Sequence, residues 1–277
     1  MIKAAVLGPA GTFSELAVEK YKKETGKELN SIFYPTITKV ANAVGSECDI
    51  GIIPIENTLD GFVQVTLDLL LEKEINIINE FTIPIQFAFA ANSRMEEVER
   101  IYAQFKTQGQ CCKFLESFKN VKIITTDSNG ESVQKVREGL DGEGAIIPRH
   151  MLNFTKKFKF SIDCVTDSGE NETRFIVLSP SKRTDYDDKK HYKTSIAIMD
   201  AADDKPGALF KVLDEFAQRE INLTSIISRP TKKGLGKYYF FVDIDGCYPE
   251  NDDVRQAIES IRKHSLVKII GSYSSLQ

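Results

Sequence analysis

The residues whose types could do chemistry converge on one stretch, Asp167-Ser168-Gly169-Glu170-Asn171-Glu172-Thr173-Arg174-Phe175, which runs straight into the apolar Ile176-Val177-Leu178. Asp, Ser, Gly and Asn end the preceding segment in a turn, and the β-branched run that follows predicts a buried strand. Thr173 and Arg174 therefore stand at the mouth of a strand, where a hydroxyl and a fixed positive charge can be held rigidly beside a cleft. Taken alone, the pair reads more readily as a strand threonine and a surface ion-pair partner. Other stretches must decide between the two.

Two stretches could hold an anion. Gly8-Pro9-Ala10-Gly11-Thr12-Phe13-Ser14 lies between an expected strand over 3–7 and a helix in which Phe13, Leu16, Ala17 and Tyr21 recur at helical spacing. Such a junction is either an ordinary capped turn or a site where free N–H groups and the positive end of a helix dipole meet a carboxylate or phosphate. It lacks the glycines of a dinucleotide fingerprint and the lysine of a P-loop, which favours a small carboxylate over a nucleotide. Asp127-Ser128-Asn129-Gly130 caps a second helix carrying Val133, Val136 and Leu140 on one face. Between these, a strand over 50–54 leads into Ile55-Glu56-Asn57-Thr58-Leu59-Asp60-Gly61, polar groups at a strand's carboxyl end, where open α/β sheets bind ligands.

The elements that must position these groups read as α/β. Strands alternate with helices up to residue 148, and 81–89 is a crossover into a second lobe that repeats the first. A polar, non-periodic stretch over 181–193 is a linker. Beyond it, expected strands over 195–199, 223–229, 238–244 and 267–270, with helices over 206–218 and through Val254, Ala257, Ile258 and Ile261, give the β-α-β-β-α-β order of a ferredoxin-like unit. This part carries no catalytic cluster, which favours a binding or dimerising role. The expected division is a two-lobed domain over 1–180, its lobes roughly 1–80 with 176–180 and 81–175, the linker, and a separate compact domain over 194–277.

Composition narrows the function classes. The chain has 277 residues, 42% hydrophobic and 27% charged, with a formal net charge of -4. The acidic balance and the lack of a basic block argue against nucleic acid or an anionic membrane as the partner. The amino-terminal apolar run is too short for a signal peptide, and five scattered cysteines suit free thiols in the cytoplasm. Adjacent Cys111 and Cys112 lack the spacing of a zinc or redox pair, and His150, His191 and His264 are far apart, so no metal is expected. Cys111 belongs with Phe114, Leu115 and Phe118 to a helical core stripe.

Together the stretches resemble the prephenate dehydratase family with a carboxyl-terminal ACT regulatory domain. The resemblance rests on 8–15, Pro54-Ile55-Glu56-Asn57, Gln110-Cys111 with Phe114-Leu115, and Asn171-Glu172-Thr173-Arg174-Phe175. In the ACT part it rests on Gly207-Ala208-Leu209, Ile221-Asn222-Leu223-Thr224 and Ser228-Arg229-Pro230. It implies a catalytic domain shaped like the periplasmic binding proteins, with a cleft active site, needing neither metal nor organic cofactor. It also implies a homodimer or homotetramer whose ACT domains bind phenylalanine as effector.

The implied substrate, prephenate, is a dicarboxylate that loses carbon dioxide and water as its ring becomes aromatic. By the resemblance Thr173 donates to the leaving hydroxyl. Arg174 either binds a carboxylate or fixes the Thr173 turn. Thr12, Phe13 and Ser14 with Ser128, Asn129 and Gly130 anchor the carboxylates, and Asn57, Thr58 and Phe175 complete the wall. Gly207, Ala208, Leu209, Asn222, Leu223, Ser228, Arg229 and Pro230 are the effector residues. Glu56 suits a structural acceptor, since a free carboxylate facing a dianion repels it.

The chain departs from the family at Gln104-Phe105 in place of His-Pro, at Ser128-Asn129-Gly130 in place of Ser-Thr-Ala, at Thr58 in place of serine, and at Ile227 in place of glutamate. The first two bear on substrate preference and rate, the last on phenylalanine control. Rival readings keep the fold and change the outcome, as arogenate dehydratase, prephenate decarboxylase or a non-catalytic ligand sensor.

Overall fold

Apolar runs too short for helices alternate with amphipathic stretches through the first half of the chain, which mixed sheets covered by helices satisfy, with parallel pairs beside antiparallel ones in each lobe. A computed structural model describes residues 1–153, 158–187, 189–199, 206–232, 237–248 and 250–276. The first lobe comprises β1 (Ile2–Leu7), α1 (Phe13–Thr25), β2 (Leu29–Tyr34), α2 (Ile37–Ala43), β3 (Ile50–Asn57), β4 (Gly61–Phe62), α3 (Gln64–Glu72) and β5 (Asn76–Pro84). The second comprises β6 (Phe87–Ala91), β7 (Arg100–Gln104), α4 (Phe105–Gln110), α5 (Cys112–Glu116), β8 (Lys122–Thr126), α6 (Asn129–Glu138), β9 (Glu143–Pro148) and β10 (Phe160–Ile162), after which β11 (Glu172–Ser179) returns to the first. The rest is β12 (Lys193–Met199), α7 (Ala208–Ala217), β13 (Leu223–Pro230), β14 (Tyr238–Asp245), α8 (Asp252–Arg262) and β15 (Leu266–Ser275).

The first lobe's sheet has the order β5-β11-β3-β1-β2, and the second lobe's β10-β6-β9-β7-β8. β11 lies antiparallel between β5 and β3, pairing with β5 from Glu172↔Pro84 to Ser179↔Asn76. The crossing between lobes therefore falls after Pro84 and before Glu172, a few residues outside the positions expected near 80 and 176. Ile176, Val177 and Leu178 are fully buried, as their run requires. Phe175 and Val177 enter a core shared with α1 and the second lobe, Ile176 and Leu178 the core behind the sheet. Each buried side chain contributes about 2 kcal/mol, against about 1–2 kcal/mol for fixing its backbone, so two cores rather than propensity hold this strand.

The carboxyl-terminal strands take the order β13-β14-β12-β15, all antiparallel, with α7 and α8 packed on one face, as the β-α-β-β-α-β pattern predicts. Its expected separateness is overturned. β15 continues past residue 270 to Ser275 and pairs parallel with β5 through Ser274↔Asn79 and Ser275↔Glu80, which fuses the two sheets. Ile270, Tyr273, Tyr239 and Phe241 share one core with Ile53, Ile55, Leu67 and Ile77. Glycine permits the close approach, because a Cβ at Gly271 would lie 2.2 Å from the Ile77 carbonyl oxygen. Lys268 Nζ donates to Leu71 O at 3.1 Å, at the negative end of α3. Even the linker is tied down, with Arg183 Nη1 donating to Ile78 O at 3.3 Å. Among the described residues no helix is long and apolar enough to cross a membrane.

Candidate active site

The antiparallel register places Thr173 opposite Asn57 at the carboxyl end of β3. Asn57 Oδ1 accepts from the amides of Leu59 and Asp60, both at 3.0 Å, which fixes Nδ2 as the end that faces β11. Nδ2 donates to Thr173 Oγ1 at 2.9 Å, to Asn171 Oδ1 at 2.8 Å and to Glu172 O at 3.0 Å. The Thr173 oxygen is thus an acceptor within the protein, and among the described residues its proton has no acceptor. Thr173 is 9% exposed and shares its strand face with Phe175 and Val177, toward α1 and the second lobe.

The carboxyl edges of the two sheets meet around this point. Lys106 Nζ at the start of α4 pairs with Asp60 Oδ2 at 2.8 Å across the lobes. On another flank a Cβ at Gly130 would lie 2.4 Å from Ala10 O, so the starts of α1 and α6 abut. Asn171, buried beside the crossing, bridges the lobes by donating from Nδ2 to Gln110 Oε1 at 3.1 Å. Ser128 caps α6 through its side chain, whereas Thr12 at the start of α1 makes no side-chain cap. Thr12 Oγ1 donates to Pro9 O at 3.0 Å, Gly11 N donates to Glu15 Oε2 at 2.6 Å, and Ser128 Oγ accepts from Glu131 N at 3.1 Å. These bonds leave the amides of Phe13, Ser14, Asn129 and Gly130 for an anion.

The remaining wall residues are placed with mixed outcome. Thr58 clips β3 to β11, its hydroxyl accepting from Glu172 N at 3.0 Å. Asn129 Oδ1 accepts from Thr107 Oγ1 at 2.8 Å. The Phe13 ring packs edge-on to Phe87 of the second lobe, centroids 5.3 Å apart, and so forms part of the contact between the lobes. Phe175 is corrected: 2% exposed and stacked on Phe81, it is core and not cleft wall. Gln104 caps α4 by accepting from Lys106 N at 2.7 Å, and Phe105 beside it is exposed.

Arg174 requires the larger correction. Successive strand residues point to opposite faces, and Arg174 points away from Thr173, into the junction with the carboxyl-terminal domain. Its Nη1 lies 2.8 Å from Asp243 Oδ2 and 3.0 Å from Glu80 Oε2, and its Nε lies 3.1 Å from Glu56 Oε2. Its guanidinium stands over Phe62 at 5.6 Å. Burial alone would lower the Arg174 pKa; Asp243, Tyr273 and Glu80 reverse this and hold it above its ordinary value. A cation so committed has nothing to offer a substrate carboxylate. Glu56 is the structural acceptor expected of it.

Reading residues by type also passed over His150. Both its ring nitrogens are buried without a hydrogen-bond partner, and burial lowers its pKa against the opposing pull of Glu15. It lines a groove of about 1060 Å³ with Pro9, Gly11, Glu15, Ser128 and Gly130; Thr173 and Asn57 lie outside that lining.

In the carboxyl-terminal domain Gly207 takes a left-handed φ of 83° at the start of α7, followed by Ala208 and Leu209, with Leu209 packed on the domain core. Asn222 donates to Asp245 Oδ2 at 2.9 Å beyond the other end of that helix, where Leu223 opens β13. Ser228 and Pro230 are exposed near the end of β13. Arg229 is corrected: its Nη2 lies 3.0 Å from both carboxylate oxygens of Asp68 on α3, a contact with the first lobe. Ile227 packs on the core shared by both domains.

Comparison with known proteins fits this geometry. The sequence model of the prephenate dehydratase family matches residues 4–183, and that of the ACT domain matches 195–263. Prephenate dehydratase of Bacillus subtilis is 32% identical over 292 aligned positions covering 100% of both chains. The solved structure of prephenate dehydratase from Arthrobacter aurescens in complex with L-Phe superposes with a TM-score of 0.86 at 27% identity, covering 99% of this chain and 90% of that one. A quorum-quenching acylase shares the fold alone, with a TM-score of 0.83 at 20% identity over 99% of this chain and 98% of its own. With a family model spanning the two lobes and a full-length relative above 30% identity, the chain belongs to the prephenate dehydratase family and carries an ACT domain at its carboxyl end.

Proposed function

We propose that the chain converts prephenate to phenylpyruvate and that Thr173 assists the departing hydroxyl. The bond from the ring to its carboxylate breaks, that electron pair enters the ring, and the carbon–oxygen bond at the opposite position breaks. The hydroxide that leaves takes a proton and departs as water. Aromatisation supplies the driving force, so the protein needs to orient the ring, hold two carboxylates and place one donor on the leaving oxygen. A threonine hydroxyl is too weak an acid to transfer its proton early. Its contribution is a positioned hydrogen bond to an oxygen that gains negative charge.

The observation that carries this reading is the Asn57–Thr173 hydrogen bond of 2.9 Å. Because Asn57 occupies a lone pair, the Thr173 proton is turned outward and made a better donor. In this reading the free amides of Phe13 and Ser14 and of Asn129 and Gly130 take one carboxylate each, Ser128 and Thr12 shape those turns, Asn171 with the amides of Leu59 and Asp60 holds the Asn57 side chain in place, and Thr58 clips the two strands together. Arg174 and Phe175 support the strand from either side without touching substrate. The test is phenylpyruvate formation from prephenate, with product mass distinguishing loss of the hydroxyl from decarboxylation that retains it. Binding without turnover, or a product that keeps the oxygen, overturns the reading.

Phenylalanine is the proposed effector, at an interface between two copies. Gly207 and Asn222 lie beyond opposite ends of α7, whose 10 residues span about 15 Å, so one amino acid can touch both only across a dimer. The edge position of β13 and the exposed Ile226 and Phe210 suit such an interface. Loss of activity at saturating phenylalanine is the expected result.

A further inference from the structure

The two strands that carry Thr173 and Asn57 are joined on both faces. On one, Asn57 donates to Thr173; on the other, the immediate neighbours Glu56 and Arg174 form an ion pair. Directly after Arg174 the β11–β3 register shifts, so a regular ladder does not fix the pairing here. What fixes it is a buried polar cluster drawn from five strands. Arg174 of β11 meets Glu56 of β3, Glu80 of β5 and Asp243 of β14. Lys193 of β12 meets Glu80 at 2.7 Å, and Ser195 of the same strand donates to Asp243 Oδ1. Asp243 is 1% exposed and belongs wholly to the ACT domain. Arg174 Nε and Nη2 are buried without a hydrogen bond, so the hydrogen bonds that set the guanidinium's pose run from Nη1 to Asp243 and Glu80, beside the Nε ion pair with Glu56.

We infer that Asp243 is a positioning residue for the reaction, setting through Arg174 the alignment of Thr173 with Asn57. This rests on the reading of Thr173 as the donor to the leaving hydroxyl. A regulatory-domain carboxylate is then part of what makes the active site competent, although its strand lies four positions from β11 in the fused sheet.

The test is Asp243→Asn in the full-length chain, which keeps the side-chain shape and removes the charge. The expected result is a kcat about tenfold lower or more with KM within about threefold of wild type. Lys268→Met is the control, because it removes a charge that ties β15 to the end of α3 outside the Arg174 cluster; its melting temperature falls but its kcat stays within about twofold. Equal kcat losses in the two variants, or wild-type kcat in folded Asp243→Asn, overturn the inference. Should Asp243→Asn fail to fold, Ser195→Ala removes only the hydroxyl that orients Asp243. A kcat about threefold lower at unchanged KM then supports the inference, and wild-type kcat overturns it. Thr173→Val separates the two readings. If it is inactive while Asp243→Asn is fully active, the donor reading stands and this one falls; if Thr173→Val is active, the donor reading itself fails.

Discussion

Replacing Thr173 by valine changes one atom's chemistry and little of its volume, and the structure sets what that change should do. Asn57 Nδ2 loses one of three acceptors but keeps Asn171 Oδ1 at 2.8 Å and Glu172 O at 3.0 Å. The stability cost is therefore about 1 kcal/mol or less, the net worth of one hydrogen bond whose donor stays satisfied. The kinetic cost is larger, because a positioned donor to an oxygen gaining charge is worth about 2.7–4 kcal/mol in the transition state. That converts to a fall in kcat of roughly 10²–10³, with KM nearly unchanged since the carboxylate anchors are untouched. Thr173→Ser, which keeps the hydroxyl, should retain most of the rate. The assay is initial-rate phenylpyruvate formation over a range of prephenate, beside thermal unfolding of each variant. A Thr173→Val protein that folds normally with kcat within about threefold of wild type would remove the donor argument entirely.

Other perturbations test the frame around the site. Gly271→Ala places a Cβ 2.2 Å from Ile77 O at the sheet junction; it should cost about 3 kcal/mol or more, read as a lowered melting temperature. Gly130→Ala meets Ala10 O at 2.4 Å and should hold the lobes apart, raising KM about tenfold while thermal stability changes less than for Gly271→Ala. His150 is held below its ordinary pKa of 6.5 by burial, so the folded chain binds fewer protons than the unfolded chain as pH drops through that range. Its contribution to stability is complete above pH 6.5 and is lost as pH falls through the lower folded value. His150→Phe, which fills the same space without the two unpartnered nitrogens, should flatten that acid-side loss in urea titrations at several pH values. An unchanged slope would exclude His150 as its source.

The sequence was legible where local chemistry dictates geometry. Alternating apolar runs required an α/β sheet, Ser128 and the Gly8–Ser14 turn marked helix starts, and the polar turn before Ile176 marked β11. It was least legible where charges choose partners. Arg174 lies 69 residues from Asp243 and 94 from Glu80 along the chain, and nothing in a local pattern announces either pairing. One part of that correction was available, because strand alternation forbids Thr173 and Arg174 from facing the same cleft. The fused sheet was hidden for a different reason. Gly271-Ser272-Tyr273-Ser274-Ser275 looks like a polar tail, yet Ser272 and Ser274 are buried, with Ser272 Oγ bonded to Thr194 Oγ1 at 2.8 Å and donating to Tyr248 O at 2.7 Å. Polar residues with internal partners satisfy a core position that hydropathy alone assigns to solvent.

The Arg174 cluster also bears on why a buried ionic group is kept at this junction at all. Removing one partner from such a cluster costs about 3–5 kcal/mol, but replacing the whole set by fitted apolar residues is often neutral or stabilising, so stability alone does not require it. What apolar residues cannot supply is direction. Oily side chains would let β11 slide against β3 at the register shift beside Arg174, whereas ion pairs to Glu56, Glu80 and Asp243 fix one alignment and penalise the others. The same fixity makes the junction a place where the ACT sheet can act. β14 and β15 reach β11 through Asp243 and through β5, so a ligand that shifts those strands changes the alignment of Thr173 without having to move the lobes. Its effect on the rate is then bounded by its differential affinity for the two alignments.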